Sequence, residues 1–179
     1  MNTEKETQKI YFILSYTGTM LSRLIKLYTR AEFSHVSISL DEKLNQMYSF
    51  GRLRPYNPFI GGFVHENINW GTFKRFKKAK IAIYSLDITK EQYNKIYEII
   101  GKMKNHKKEY RFNVKGLFLS AFNKKITRNK YFYCAEFIKY LMEEAKIELN
   151  LPEFIKPMDF DDLSLTNLTY KGKLYNYCN

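Results

Sequence analysis

The chain has 179 residues, is 45% hydrophobic and 17% aromatic, and carries 30 Lys and Arg against 18 Asp and Glu, for a net charge of +12. That length suits a single domain spanning 1–179 with a full core and is short for two, and the apolar content excludes a disordered chain. Its two cysteines, Cys134 and Cys178, are too few for a disulfide scaffold.

The polar segment Met1 to Lys9 and the five apolar residues Ile10 to Leu14 contain no signal-peptide core and no membrane span. A cytoplasmic setting is therefore expected. Ile10 to Leu14 reads as a buried strand, and Met20 to Arg30 as a helix with Met20, Leu21, Leu24, Ile25, Leu27 and Tyr28 inward and Arg23, Lys26 and Arg30 outward. Phe33 to Leu40 alternates as a strand, Asp41 to Asn45 is a polar turn, and Gln46 to Phe50 completes a hairpin. With Pro55, Pro58, Gly61 and Gly62, the segment Gly51 to Gly62 is expected to be a long irregular loop bordering a cleft.

Phe63 to Glu66 and Ala79 to Leu86 are further strands, which makes the sheet mostly antiparallel. Thr89 followed by Gln92 forms a capping-box pattern at the head of a helix whose apolar face is Tyr93, Ile96, Tyr97, Ile100 and Met103. Val114 to Phe122 is predicted helical. After an aromatic-rich strand, so is Cys134 to Ile147, with Phe137, Ile138, Leu141, Met142 and Ala145 inward. Pro152, Pro157 and Asp159 to Asp162 break the pattern before a last strand, Leu168 to Tyr177, interrupted at Gly172.

The positive charge is concentrated in Lys74 to Lys80, Lys102 to Lys115 and Lys124 to Lys130. Such runs attract anionic surfaces or polymers, or simply solvate one face. Aromatics are not interleaved on them as a single-strand nucleic-acid binder requires, so no nucleic-acid motif is assigned. His35, His65, His106 and the two cysteines lack metal-ligand spacing, and neither a metal nor a cofactor is expected.

The chemistry-bearing pair is His35 on a strand and Cys134 on the first turn of a helix. Helix N-termini present unpaired N–H groups and a positive dipole end that favour an anionic thiolate, and an imidazole is the natural partner base. Each residue alone is equally readable as a core residue, His35 on a half-buried strand and Cys134 as a small buried hydrophobe. The ordered set of segments around them carries more weight.

Phe33-Ser34-His35-Val36-Ser37-Ile38, Met47-Tyr48-Ser49-Phe50-Gly51-Arg52 and Tyr131-Phe132-Tyr133-Cys134-Ala135-Glu136-Phe137-Ile138 resemble the corresponding segments of the circularly permuted papain-like hydrolases. These are relatives of the NlpC-type amidases and of lecithin retinol acyltransferase, in which the histidine strand precedes the cysteine helix. Gly61-Gly62-Phe63-Val64-His65-Glu66 and Tyr170-Lys171-Gly172-Lys173-Leu174 are similar to a bacterial branch of that group.

The resemblance implies an α+β, permuted papain-like fold in which a mostly antiparallel sheet packs against helices, the cysteine-bearing helix among them. It implies a cysteine amidase or peptidase-like hydrolase, or an acyl transferase, acting on a peptide, amide or lipid-acyl substrate. Cys134 matches the nucleophile and His35 the base. Ser49 matches the residue that orients the imidazole, with Tyr48 as the alternative. Tyr110 matches an aromatic bordering the site. Glu66 is either a carboxylate supplied to the histidine from a neighbouring segment or an exposed strand-end charge. The Cys134 backbone N–H is the expected oxyanion donor. Because a serine supplies no charge to an imidazolium, a second expectation stands beside the first: an inactive binding module that holds an anionic partner through the basic runs.

Overall fold

The computed structural model describes residues 6–19, 22–23, 26–27, 30–54, 57–120, 124, 128–161 and 163–177. Its strands are β1 (Thr7–Tyr16), β2 (His35–Ser39), β3 (Met47–Arg54), β4 (Asn57–Glu66), β5 (Lys80–Thr89), β6 (Arg111–Phe112), β7 (Tyr131–Phe132) and β8 (Asn167–Lys173). The helices are α1 (Gly71–Arg75), α2 (Lys90–Asn105), α3 (Val114–Ser120), α4 (Cys134–Glu144) and α5 (Leu174–Tyr177), with a 3-10 turn at Pro157–Phe160. All eight strands form one sheet in the order β7-β6-β4-β3-β2-β1-β5-β8. Every pairing is antiparallel except that of β6 with β7.

β1 is an interior strand, paired with β2 and β5 and buried from Ile10 to Ser15. Burial on both faces explains why its sequence reads as a continuous apolar run rather than an alternation. Cross-strand partners point to the same side of a sheet, so the register sorts the residues into two faces. Tyr11 pairs with Ser39, Ile13 with Ser37 and Ser15 with His35. Ser39 pairs with Met47, and Met47 with Glu66, Ser49 with Val64 and Gly51 with Gly62.

The opposite face carries Phe12, Leu14, Val36, Ile38, Tyr48, Phe50 and Phe63. These join Ile96, Ile99, Ile100 and Met103 of α2 and Phe137, Ile138, Leu141 and Met142 of α4 in the main core. Phe50, fully buried, meets the rings of Phe132 and Phe137, each at 5.2 Å between centroids. α2 starts with the expected box: Gln92 N–H donates to Thr89 Oγ1 at 3.2 Å, and Thr89 N–H to Gln92 Oε1 at 2.9 Å.

Several expectations are revised. The irregular loop expected over Gly51 to Gly62 is instead the paired ends of β3 and β4, with a register shift between Arg52 and Arg54; positions 55 and 56 lie outside the described residues. The glycines there permit close approach rather than a turn. A Cβ on Gly61 would sit 2.7 Å from Phe112 Cβ and 2.8 Å from the Gly51 carbonyl oxygen.

The last strand ends at Lys173, where α5 begins. β1 starts three residues earlier than the apolar run indicates, because pairing with β5 carries it back to Thr7. Of the helix expected over Met20 to Arg30, Ser22, Arg23, Lys26 and Leu27 are helical, and positions 20, 21, 24, 25, 28 and 29 lie outside the described residues. Leu27 is 77% exposed rather than inward. Ser22 is buried against the crevice, and Lys26 sets its ammonium 4.6 Å from the Tyr16 ring centroid. Cys178 also lies outside the described residues.

Gly61→Ala should destabilise the fold by about 1–3 kcal/mol, the usual penalty of overpacking a tight contact. Urea unfolding at constant m-value would measure the loss, and an unchanged midpoint would overturn the close-approach account.

Candidate active site

His35 is the first residue of β2 and Cys134 the first of α4, so helix and sheet present imidazole and thiol to each other at the start of the strand. The Cys134 thiol lies close enough to the imidazole to raise its affinity for a proton. Cys134 is 3% exposed, and both residues line one crevice.

The other side of the imidazole is held by a carboxylate. His35 Nε2 lies 3.3 Å from Glu66 Oε1 and 3.3 Å from Ser37 Oγ. Ser37 Oγ in turn donates to Glu66 Oε2 at 2.5 Å. With its own proton committed to Glu66, the Ser37 oxygen accepts from Nε2–H. Nε2 is thus occupied, which leaves Nδ1 as the ring nitrogen open to the thiol.

Burial is the largest influence on His35 and by itself lowers its affinity for a proton. The Glu66 charge, the hydrogen bond and charge of Cys134 and the hydrogen bond to Glu66 outweigh it and push the imidazole up to about 10. Burial likewise raises the Glu66 carboxyl, but the His35 charge and the hydrogen bonds from His35 and Ser37 hold it below the usual carboxylate range. At neutral pH the pair is therefore an imidazolium and a carboxylate, with side chains 22% and 14% exposed.

Glu66 reaches His35 across β3, the strand between their own. Ser49 and Gly51 make that span available because they place almost nothing in the way: a Cβ on Gly51 would already lie 3.5 Å from His35 Cε1 and 3.6 Å from Ser49 Oγ. The expectation that Ser49 orients the imidazole is corrected accordingly. Ser49 Oγ is buried without a hydrogen bond of ordinary geometry, although it lies near enough to Glu66 to help hold that carboxylate charged.

Tyr48 projects from the opposite face of β3 into the core, stacked on Phe63 and on His65 with centroids 5.9 and 5.0 Å away. It neither contacts His35 nor lines the crevice. Tyr110 packs edge-on to Phe50 at 6.4 Å, while Phe112, two residues on, and Phe73 line the crevice. Glu66 is no exposed strand-end charge.

Sequence reasoning left out Ser37, Ser15, Ser34, Arg52 and Phe112. Ser37 was recoverable, since the two-residue period of a strand puts it on the face of His35. Arg52, whose guanidinium is lowered by burial and raised again by the Glu66 charge, became a wall residue only through the β3–β4 pairing.

The Cys134 end is fixed by a second polar cluster. Asn113 N–H donates to the Phe132 carbonyl at 2.9 Å, its Oδ1 accepts from Gly116 N–H at 2.9 Å, and its Nδ2 donates to Glu136 Oε2 at 3.2 Å. The same Glu136 oxygen accepts from Tyr133 N–H at 3.2 Å. A carboxylate in the first turn thus satisfies an otherwise unpaired N–H and ties the start of α4 to β7 and α3.

Among the described residues no three His, Cys, Asp or Glu side chains converge as metal ligands, and no helix is long and apolar enough to cross a membrane. No protein-family model, curated protein or solved structure matches the chain.

Glu66→Gln should drop the His35 titration, followed by the NMR shift of its Cε1–H, well below about 10, because burial is then opposed only by Cys134. Ser49→Ala should move it little. The stability difference between wild type and Glu66→Gln should be fully present up to the unfolded histidine value near 6.5 and fade as pH rises through about 10. On the acid side it should fade as pH falls below the unfolded Glu66 value of 4.5. Its maximum should be about 2 kcal/mol, less than the roughly 3–5 kcal/mol of a fully buried pair. A titration that follows Ser49 instead would reverse the assignment.

Proposed function

We propose that the protein is a cysteine hydrolase or acyl transferase with a Cys134–His35–Glu66 triad. The observation that carries this reading is one imidazole set in the same crevice as a thiol at a helix N-terminus and held on its other side by a half-buried carboxylate 3.3 Å away. That is the nucleophile, base and orienting group of covalent acyl chemistry. The order of histidine strand before cysteine helix, on a mostly antiparallel sheet, supports reading the fold as permuted papain-like. A cytoplasmic setting, which keeps the thiol reduced, suits the same reading.

Cys134 attacks as the thiolate, its proton resident on His35. The S–C bond forms at the carbonyl carbon of an amide, ester or thioester, and the carbonyl electron pair moves to oxygen, where the Cys134 N–H at the start of α4 receives the charge. Collapse breaks the bond to the leaving group, to which His35 delivers its proton, and a thioester remains on Cys134. Water or another nucleophile then loses a proton to His35, adds to the thioester and expels the thiolate. Glu66 keeps the ring oriented and balances the imidazolium throughout, with Ser37 holding Glu66.

The alternative of an inactive binding module drew on a serine in the orienting position. Glu66 in contact with His35 supplies the carboxylate and weakens that ground.

Iodoacetamide alkylation located by mass spectrometry tests the pair. An ordinary thiol is only about 3% thiolate at pH 7, so Cys134 should label roughly tenfold or more faster than Cys178 at that pH, and His35→Ala should remove the advantage. With p-nitrophenyl acetate, wild type should carry an acetyl group on Cys134 and Cys134→Ala should carry none. Slow labelling indifferent to His35, or acetyl-enzyme formation without Cys134, would sink the proposal.

A further inference from the structure

The crevice does not end at the triad. Thr17 also borders a second groove, lined by Tyr16, Gly18, Arg23 and the segment Lys74 to Lys80. Three elements supply residues to both. The end of β1 gives Ser15 to the crevice, Tyr16 to the groove and Thr17 to each. The helical turn after it gives Ser22 to the crevice and Arg23 to the groove. α1 gives Thr72 and Phe73 to the crevice and Lys74 and Arg75 to the groove. Crevice and groove adjoin at Thr17.

Their chemistry differs sharply. The groove presents Arg23, Lys74, Arg75, Lys77, Lys78 and Lys80, all exposed, and no acidic residue lines it among the described residues. Lys26, over the Tyr16 ring, adds to the same field. The acid nearest to it in the ion pairs is Glu32, 3.9 Å from Lys80 Nζ and shared with Lys171 at 3.3 Å. One carboxylate at the edge leaves the groove strongly positive.

Apart from His35, Glu66 and Arg52, the crevice is lined by the hydroxyls of Ser15, Thr17, Thr19, Ser22, Ser34 and Thr72 and by apolar residues. Ser15 and Ser34, 0% and 3% exposed, have Oγ atoms with no hydrogen-bond partner among the described residues. Buried hydroxyls in that state are a free-energy cost unless something else engages them.

Resting on the Cys134 reading above, we infer that the substrate is an anionic acyl compound: its carbonyl lies at Cys134, its polar linker lies against the hydroxyls of the crevice, and a phosphoryl-bearing portion lies in the groove of Arg23 and Lys74 to Lys80. Several cations with no interleaved carboxylate fit a multiply charged phosphate or a run of phosphodiesters better than a single carboxylate.

N-bromoacetylethanolamine phosphate and its neutral parent N-bromoacetylethanolamine place the same electrophile with and without the phosphate. In each, the thiolate forms the S–C bond as the C–Br bond breaks and bromide leaves. The phosphate reagent should alkylate Cys134 at least about tenfold faster than the neutral one, within the range of electrostatic steering, and the ratio should fall with added salt. Lys74→Glu/Lys78→Glu should collapse the ratio toward one, whereas Lys107→Glu/Lys108→Glu, with the same change in net charge outside the groove, should keep it.

In wild type, alkylation should be blocked by soluble glycerol phosphate if the phosphoryl group belongs to a free compound. It should be blocked only by phosphatidylglycerol vesicles, not by phosphatidylcholine vesicles, if it belongs to a lipid headgroup. Either pattern supports the inference, and protection by neither overturns it. Equal rates of the two reagents with rapid neutral labelling would overturn the anionic groove and leave the triad standing. Slow neutral labelling overturns the nucleophile itself, and the substrate inference with it.

Discussion

Everything at this site depends on one contact made across an intervening strand, between the His35 imidazole and the Glu66 carboxylate. Neighbouring strands lie about 4.8 Å apart, so side chains two strands away meet only if the strand between contributes little volume. β3 does so with Ser49 and Gly51. Burial opposes charge on both partners, yet each keeps the other charged. Ser37 completes the arrangement by bonding to both, and it does so from the same strand as the histidine.

The remaining architecture reads as a means of holding that contact and delivering a thiol to it. Residues alternating with the polar file, Val36, Ile38, Tyr48 and Phe50, anchor the strands from the other side, where α2 and α4 cover them. Phe50 sits between Ser49 and Gly51 in sequence and is locked by Phe132 and Phe137. A one-residue slip of β3 would therefore expose the aromatic and break the clearance at the same time. Phe137 belongs to α4, so the ring that fixes the register of β3 also seats the helix that begins at Cys134. The Asn113–Glu136 cluster then sets where that helix starts.

The sequence made one half of this site legible. Cys134 and His35 stand in segments whose local patterns, an aromatic strand entering an amphipathic helix and an alternating strand, place them at element starts. The helix cap at Thr89 and Gln92 was equally readable because it is local chemistry. The Glu66 contact was legible only as one of two alternatives, because it depends on how β3 and β4 pair, and the glycines at 51, 61 and 62 suggest an irregular loop when read alone. Their actual use, letting Phe112 and the Gly51 carbonyl approach Gly61, is a long-range fact. Ser49 was favoured for its sequence position, yet a residue on the strand beside the histidine has its main effect here by being small. Tyr48 and Tyr110 failed as site residues for a related reason: an aromatic's side of the sheet is decided by register, and both fall on the core side, against Phe63 and Phe50.

Stability alone does not account for the polar file. A buried ion pair seldom gains more from its mutual attraction than its two members lose on leaving water, and well-packed apolar residues of similar volume often do as well or better. The same face shows that option in use a few residues away, where Tyr11, Ile13, Met47, Ile81 and Ile83 pack with Phe73 and Leu174. Next to that apolar patch the chain keeps His35, Ser37, Ser49 and Glu66, and adds the hydroxyls of Ser15 and Ser34, unpartnered among the described residues. Costly groups gathered in one crevice beside a thiol at a helix start mark a candidate functional site, and the apolar core that offsets their cost lies on the other face of the sheet.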